Sequence, residues 1–241
     1  MNNSPIRSNY LQVLEQIAQA ALSARRPADH VKLVVVTKGH PVEAVQEAVE
    51  AGVSIFGENY AEEGSEKVIT LREKPGLEWH MIGHIQSRKA RLVSEYFDWV
   101  HSLDSLKLAS RLNHFAVESG RVMPVLLECN VSGEESKFGW AAWQEHRWES
   151  LLEEFAQVAA LPGLKVSGLM TMAPYLQDVE QARPYFRRLR CLRDYLAQQL
   201  PGVNWQELSM GISADFVVAV QEGATMVRIG TAILGARPHL R

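Results

Sequence analysis

The sequence predicts a (β/α)8 barrel with one additional helix in front of its first strand. Three observations predict it. Short apolar, β-branched runs alternate with longer helical patterns, and the alternation repeats eight times. Strands alternating with helices imply a parallel sheet. The chain has 241 residues, close to the roughly 250 of such barrels. An open doubly wound sheet is the competing fold, but no GxGxxG follows the first strand.

The elements follow in order. Tyr10, Leu11, Val13, Leu14, Ile17, Ala20, Ala21 and Leu22 recur at helical spacing and define the extra N-terminal helix. The strands are expected at 32–38, 54–59, 78–83, 99–104, 124–130, 165–172, 205–211 and 225–230. PVEAVQEAVEAG, after the first strand, opens with proline and closes with glycine, as helices do. DSLKLASRLNHFAVESG offers Asp104 or Ser105 as its cap and Gly120 as its stop. No linker divides the chain, so residues 1–241 read as a single barrel domain. The segment 131–141 (VSGEESKFGWA) reads as a loop on the active face.

Hydrophobic residues make up 46% of the chain, enough for a full core. Basic residues number 25 and acidic ones 28, a net charge of −3. That balance lacks the basic excess that nucleic acids or membrane surfaces require. Two cysteines form no disulfide framework and no metal-spacing motif, which fits a reducing compartment. The N-terminus lacks a basic start followed by an apolar block, and no apolar run reaches the ~18 residues of a membrane span. A soluble, cytoplasmic protein is expected.

Barrels of this kind keep their working groups at the carboxyl ends of strands. Lys38 stands at the first such end and shares parity with Val34 and Val36, so it faces the interior if they do. An ammonium there loses solvation, and a lysine kept partly neutral attacks aldehydes. The ends of strands seven and eight, MGISADF and RIGTAILG, are built for a phosphate. Gly211 and Gly230 allow close backbone approach, Ser213 and Thr231 supply hydroxyls, and Ser213 also reads as a helix N-cap. Arg228 shares parity with Met226 and Gly230 and is expected to point inward. A phosphate site at one end and an imine-forming lysine at the other describe pyridoxal 5'-phosphate (PLP). A fixed cation at Arg228 would keep the pyridine nitrogen unprotonated and weaken the ring as an electron sink.

The stretches VVVTKGHP, FGENYAEEGSEK, WHMIGHIQSRKAR, HSLDS, NVSGEESKFGW, GLMTMAP, LSMGISADF and MVRIGTAILGAR resemble the PLP homeostasis (PLP-binding, YggS-like) protein family over nearly the whole length. That family resembles the N-terminal barrel domain of alanine racemase and lacks the enzyme's second domain. The resemblance implies a Schiff base on Lys38, phosphate contacts from Ser213, Gly230 and Thr231, Arg228 at the pyridine nitrogen, and Asn59 near the cofactor. Ile212 stands where many members have methionine, and Gly39-His40 where others have Thr-Lys. Neither departure is expected at a cofactor contact.

Two functions compete: a PLP holder, as the resemblance implies, and an amino-acid racemase. A racemase needs a base on each face of its substrate. Lys38 can be one, but the eight units use up the chain and leave no second domain to bring another. His80, His84, His101 and Tyr60 are the possible substitutes. The expectation is a monomeric holder serving PLP-dependent apo-enzymes. Lys137 is a candidate second contact for incoming cofactor. Glu62, Glu63, Glu66 and Lys67 read as a solvated helix face, and Trp140, Trp143 and Trp148 as packing.

Overall fold

The β-branched runs form strands whose two faces carry different residues. In β1 (Lys32–Val36), Leu33 and Val35 join the large core beneath the helices, while Val34 and Val36 face the barrel axis. The other strands are β2 (Ile55–Glu58), β3 (Glu78–Met81), β4 (Trp99–Leu103), β5 (Met123–Asn130), β6 (Trp140–Ala141), β7 (Leu164–Met170), β8 (Glu207–Ile212) and β9 (Met226–Ile229). In this computed structural model, which describes residues 4–237, eight parallel strands close in the order β1-β2-β3-β4-β5-β7-β8-β9 and back to β1. The barrel expected from the sequence is therefore present. Residues 1–3 and 238–241, part of the expected domain span, lie outside the described residues. The short strand β6, inside the segment expected as a loop, pairs with β5 through Cys129 and Asn130.

The helices are α1 (Pro5–Ser23), α2 (Val42–Glu50), α3 (Ala61–Leu71), α4 (Ala90–Tyr96), α5 (Leu106–Glu118), α6 (Leu152–Ala159), α7 (Arg183–Gln199), α8 (Phe216–Gln221) and α9 (Thr231–Leu234). The extra helix α1 starts at Ser4, whose hydroxyl accepts from the Arg7 amide, and packs on α8 and α9. Ser105, not Asp104, caps α5 by accepting from Leu108 N–H at 3.4 Å. None of the described helices is long and apolar enough to cross a membrane.

Two departures from strict strand alternation shape the site. The β8–β9 register shifts between Ser209 and Ile212, and Gly211 between them has φ +95°. This bulge turns Ile212 towards the cavity described below, although it lies three residues from the inward-facing Ser209. Gly211 is itself fixed by packing: a Cβ there would come within 2.6 Å of Ala219 Cβ on α8. Its role is to seat α8 on the sheet, not to approach an anion as expected from the sequence. Gly168, at a second shift between β5 and β7, lies so close to Glu207 that a Cβ would sit 1.9 Å from its carbonyl oxygen.

Candidate functional site

The carboxyl ends of the strands surround a cavity of about 460 Å³, within the range of small-molecule sites. Lys38, Asn59, Ser213, Arg228, Gly230 and Thr231 all line it. The structure thus brings every expected site residue to one wall or another of a single cavity. Lys38 lies two residues past the end of β1, in a turn rather than in the strand. Burial and the cations Arg237 and Arg228 lower its pKa, which raises the fraction of neutral amine.

The turn that carries Lys38 is gripped from below. Thr37 Oγ1 donates to Glu58 Oε1 at 2.5 Å, and Lys67 Nζ donates to the Thr37 carbonyl at 2.7 Å. Gly39 N–H donates to Glu63 Oε1 at 2.6 Å. Lys67 also pairs with Glu58 and Glu63, each at 2.7 Å. Glu63 and Lys67 were expected on a solvated face, but Lys67 is buried. Its stem crosses the gap between α3 and the sheet, and its ammonium reaches three oxygens there. Glu58, fully buried, points into this gap and not into the cavity. Gly39 has φ +70°, and a Cβ would meet Arg237 Cδ at 3.0 Å, so this tight turn requires glycine.

Arg228 points along the barrel axis and is 3% exposed. Nη1 donates to Ser209 Oγ at 2.5 Å, and Nη2 to the Thr171 carbonyl at 2.9 Å and to Met172 Sδ at 3.0 Å. Among the described residues no carboxylate lies within ion-pair distance of it. Burial lowers its pKa to about 10, against the attraction of Asp215 and Glu128, so it stays charged at neutral pH. A buried cation held only by neutral acceptors, beside an open cavity, suits an anion or a hydrogen-bond acceptor as its missing partner.

Below Arg228 a chain of hydrogen bonds runs through the barrel. Ser209 Oγ lies 2.9 Å from His101 Nδ1, His101 Nε2 lies 2.8 Å from His80 Nδ1, and His80 Nε2 lies 2.6 Å from Glu78 Oε1. The carboxylate can only accept, so His80 donates from Nε2 and accepts at Nδ1. His101 must then donate from Nε2 and accept the Ser209 proton at Nδ1, which leaves the Ser209 oxygen to accept from Arg228. Every member is satisfied with both imidazoles neutral. Desolvation agrees with this, lowering the pKa of His80 and placing that of His101 well below its ordinary value. These two histidines are therefore committed beneath the cavity and are not available as second bases.

At the phosphate-type end, Ser213 and Ala214 form a turn before α8, and Gly230 precedes α9. The residue at the N-cap of α8 is Asp215 and not Ser213. Asp215 Oδ1 accepts from Ile212 N–H at 2.7 Å, which closes the turn and leaves the Ser213 hydroxyl without that task. Thr231 opens α9, and the first N–H groups of a helix lack partners within it. The donor set, an amine, a cation and a hydroxyl–amide cluster, fits an aldehyde-bearing aromatic phosphate.

The opposite wall was only partly legible. His84 stacks on Phe138 at 3.9 Å between centroids and pairs with Asp104 at 3.0 Å. Both rings line the cavity, as do Glu128 and Met172. His84 is thus the one second-base candidate that reaches the cavity; Tyr60 does not line it. Lys137 Nζ donates to the Met172 carbonyl at 3.0 Å and pairs with Glu134, tying the loop after β5 to the end of β7. Among the tryptophans of that region, Trp140 and Trp148 are buried, as packing residues, and Trp143 is exposed. His40 and Ile212 line the cavity too. That corrects the expectation that these departures lie away from the cofactor site: the bulge turns Ile212 inward, and the tight Gly39 turn brings His40 back. Period-two alternation could have found Glu128, which follows the inward-facing Leu126 by two residues.

A parallel barrel with a strand-end lysine facing turns of the phosphate-binding type defines the class of the alanine racemase N-terminal domain, and the model of that family matches residues 11–238. At 18% identity and a TM-score of 0.69, alanine racemase from Clostridium difficile shares the fold; the likeness covers all of this chain and 59% of the racemase. The chain belongs to the pyridoxal phosphate homeostasis protein family. It is 40% identical over 235 residues to the Pyridoxal phosphate homeostasis protein of Pasteurella multocida, covering 97% of this chain and 98% of the relative. PipY of Synechococcus elongatus, solved with PLP bound, is 38% identical with a TM-score of 0.78, over 91% of this chain and all of PipY.

Proposed function

We propose that this protein binds PLP in the described cavity and serves PLP homeostasis as a holder of the cofactor, with Lys38 as the Schiff-base lysine. The observation that carries this reading is the buried Arg228, without a carboxylate partner among the described residues, in one cavity with a desolvated Lys38. Bound PLP supplies an electrophilic aldehyde and a phosphate. Lys38 would hold the aldehyde carbon. Ser213, Thr231 and the backbone at Gly230 would hold the phosphate, Arg228 would face the ring nitrogen, and Asn59 would flank the ring. Lys137 would be a second contact near the mouth, once released from Met172.

A cation at the ring nitrogen favours keeping the cofactor over driving carbanion chemistry. The holder reading extends to a one-domain, monomeric protein of the cytoplasm that passes PLP to apo-enzymes. Absorbance of the PLP-loaded protein tests the site. A yellow imine band, fixed by borohydride and missing in Lys38→Ala, is the expected result. No band in loaded wild type would overturn the reading. Turnover of single L-amino acids at ordinary enzyme rates would overturn the holder assignment in favour of a racemase.

A further inference from the structure

One acid in the cavity has no role in the reading above. Glu128 shares the inward parity of Leu126 on β5 and lines the cavity with Arg228. Two other acids near the cavity are committed. Asp104 is bonded to His84 and to Ser105 Oγ, and Asp215 to Ile212 N–H. Of these three acids, Glu128 is the one with no hydrogen-bond or ion-pair partner among the described residues. The loop after β5 closes over it: Gly139 has φ +95°, and a Cβ there would sit 2.9 Å from Glu128 Cγ. The loop thus packs against the base of the Glu128 side chain, which lines the cavity.

Two charges act on its carboxyl group with opposite sign. Asp104, at the end of β4, repels it, and Arg228 on β9 attracts it. Lys38, His40, His84 and Arg237 line the same cavity. Arg228, already bonded to three neutral acceptors, is not close enough to form a pair with it. An anionic ligand entering this space adds repulsion, and a carboxylic acid there would become a hydrogen-bond donor instead.

We infer that Glu128 is a further ligand-binding residue of the cavity, which takes up a proton as PLP binds and donates a hydrogen bond to an acceptor atom of the cofactor. This inference rests on the proposed function. In the free protein, burial and Asp104 already raise its pKa to about 7 against the pull of Arg228. Loading is therefore linked to proton uptake in the neutral range, and affinity for PLP falls as pH rises past the free-state pKa.

PLP binding by wild type and Glu128→Gln, measured by equilibrium dialysis between pH 6 and pH 8.5, tests this. Titration of Lys38 and of the phosphate is common to both proteins, so the difference isolates Glu128. Wild type is expected to lose about tenfold more affinity than the variant for each pKa unit by which the ligand raises Glu128. Parallel pH profiles would overturn the inference and leave the proposed function standing. Failure of wild type to bind PLP at any pH would remove both. A 13C carboxyl titration of wild type, free and PLP-loaded, needs no variant. A Glu128 pKa that rises on loading supports the inference, and one that stays or falls overturns it.

Discussion

Lys67→Ala is expected to destabilise the protein by about 3–5 kcal/mol, the usual consequence of removing one partner of a buried ion pair. Urea unfolding at pH 7 measures it. Lys67 is 5% exposed and Glu58 fully buried, and Glu58 Oε2 already has no hydrogen-bond partner. Without the ammonium, the Glu58 carboxylate keeps only the Thr37 hydroxyl. The loss depends on pH, and its sign follows from linkage. Burial raises the folded pKa of Glu58 above its ordinary value, and loss of Lys67 raises it further. The folded variant then binds a proton more tightly than the unfolded chain, so its stability falls as pH rises above about 4.5, the ordinary glutamate value. The deficit should narrow on acidification. The double variant Lys67→Met, Glu58→Gln should recover most of it, because no buried charge is left unpaired. A variant as stable as wild type at pH 7 would show that the ion pair contributes nothing net. Since Lys67 also holds the Thr37 carbonyl, Lys67→Ala should weaken PLP retention through the Lys38 turn.

His101→Leu is expected to lower stability by about 2–4 kcal/mol at pH 7.5. It leaves His80 Nδ1 without a donor and the Ser209 hydroxyl proton without an acceptor, while Ser209 Oγ still accepts from Arg228, at roughly 1–3 kcal/mol for each buried group. The folded pKa values of His80 and His101 lie below the unfolded value of about 6.5. Between those values the unfolded chain binds more protons, so wild type loses stability as pH falls below about 6.5. Removing His101 removes part of that loss, and the variant's curve should be flatter in acid. A wild-type curve and a variant curve of equal slope below pH 6.5 would contradict the neutral tautomers assigned to the relay. Because Ser209 anchors Arg228 Nη1, the same variant should also bind PLP more weakly and shift the absorbance of the loaded protein. A merely structural role for His101 would not move the spectrum.

Much of the site was written in local sequence. Lys38, Ser213, Gly230 and Thr231 stand at strand ends or in the turns after them, and a barrel gathers such ends on one face. Arg228 was legible from parity alone, since β9 alternates without interruption up to it. Ile212 was not, because the bulge at Gly211 reverses the parity of the strand. Lys67 was misread for another reason. Helical spacing pairs it with Glu63 one turn earlier, as in a surface ion pair, yet it is the face turned to β2 that decides burial, and no charge pattern on α3 reports Glu58 across the gap.

The sequence by itself determined the barrel, the strand-end lysine and the glycine-bearing turns. Each depends on periodicity or backbone geometry within a few residues. Only the tertiary structure decided which polar groups share the closed interior. The relay from Glu78 to Arg228 joins β3, β4, β8 and β9, and Glu128 lines the cavity with Arg228 without pairing to it. Hydrogen bonds and desolvation act through space, and the residues they couple here lie up to 150 positions apart along the chain (Glu78 to Arg228).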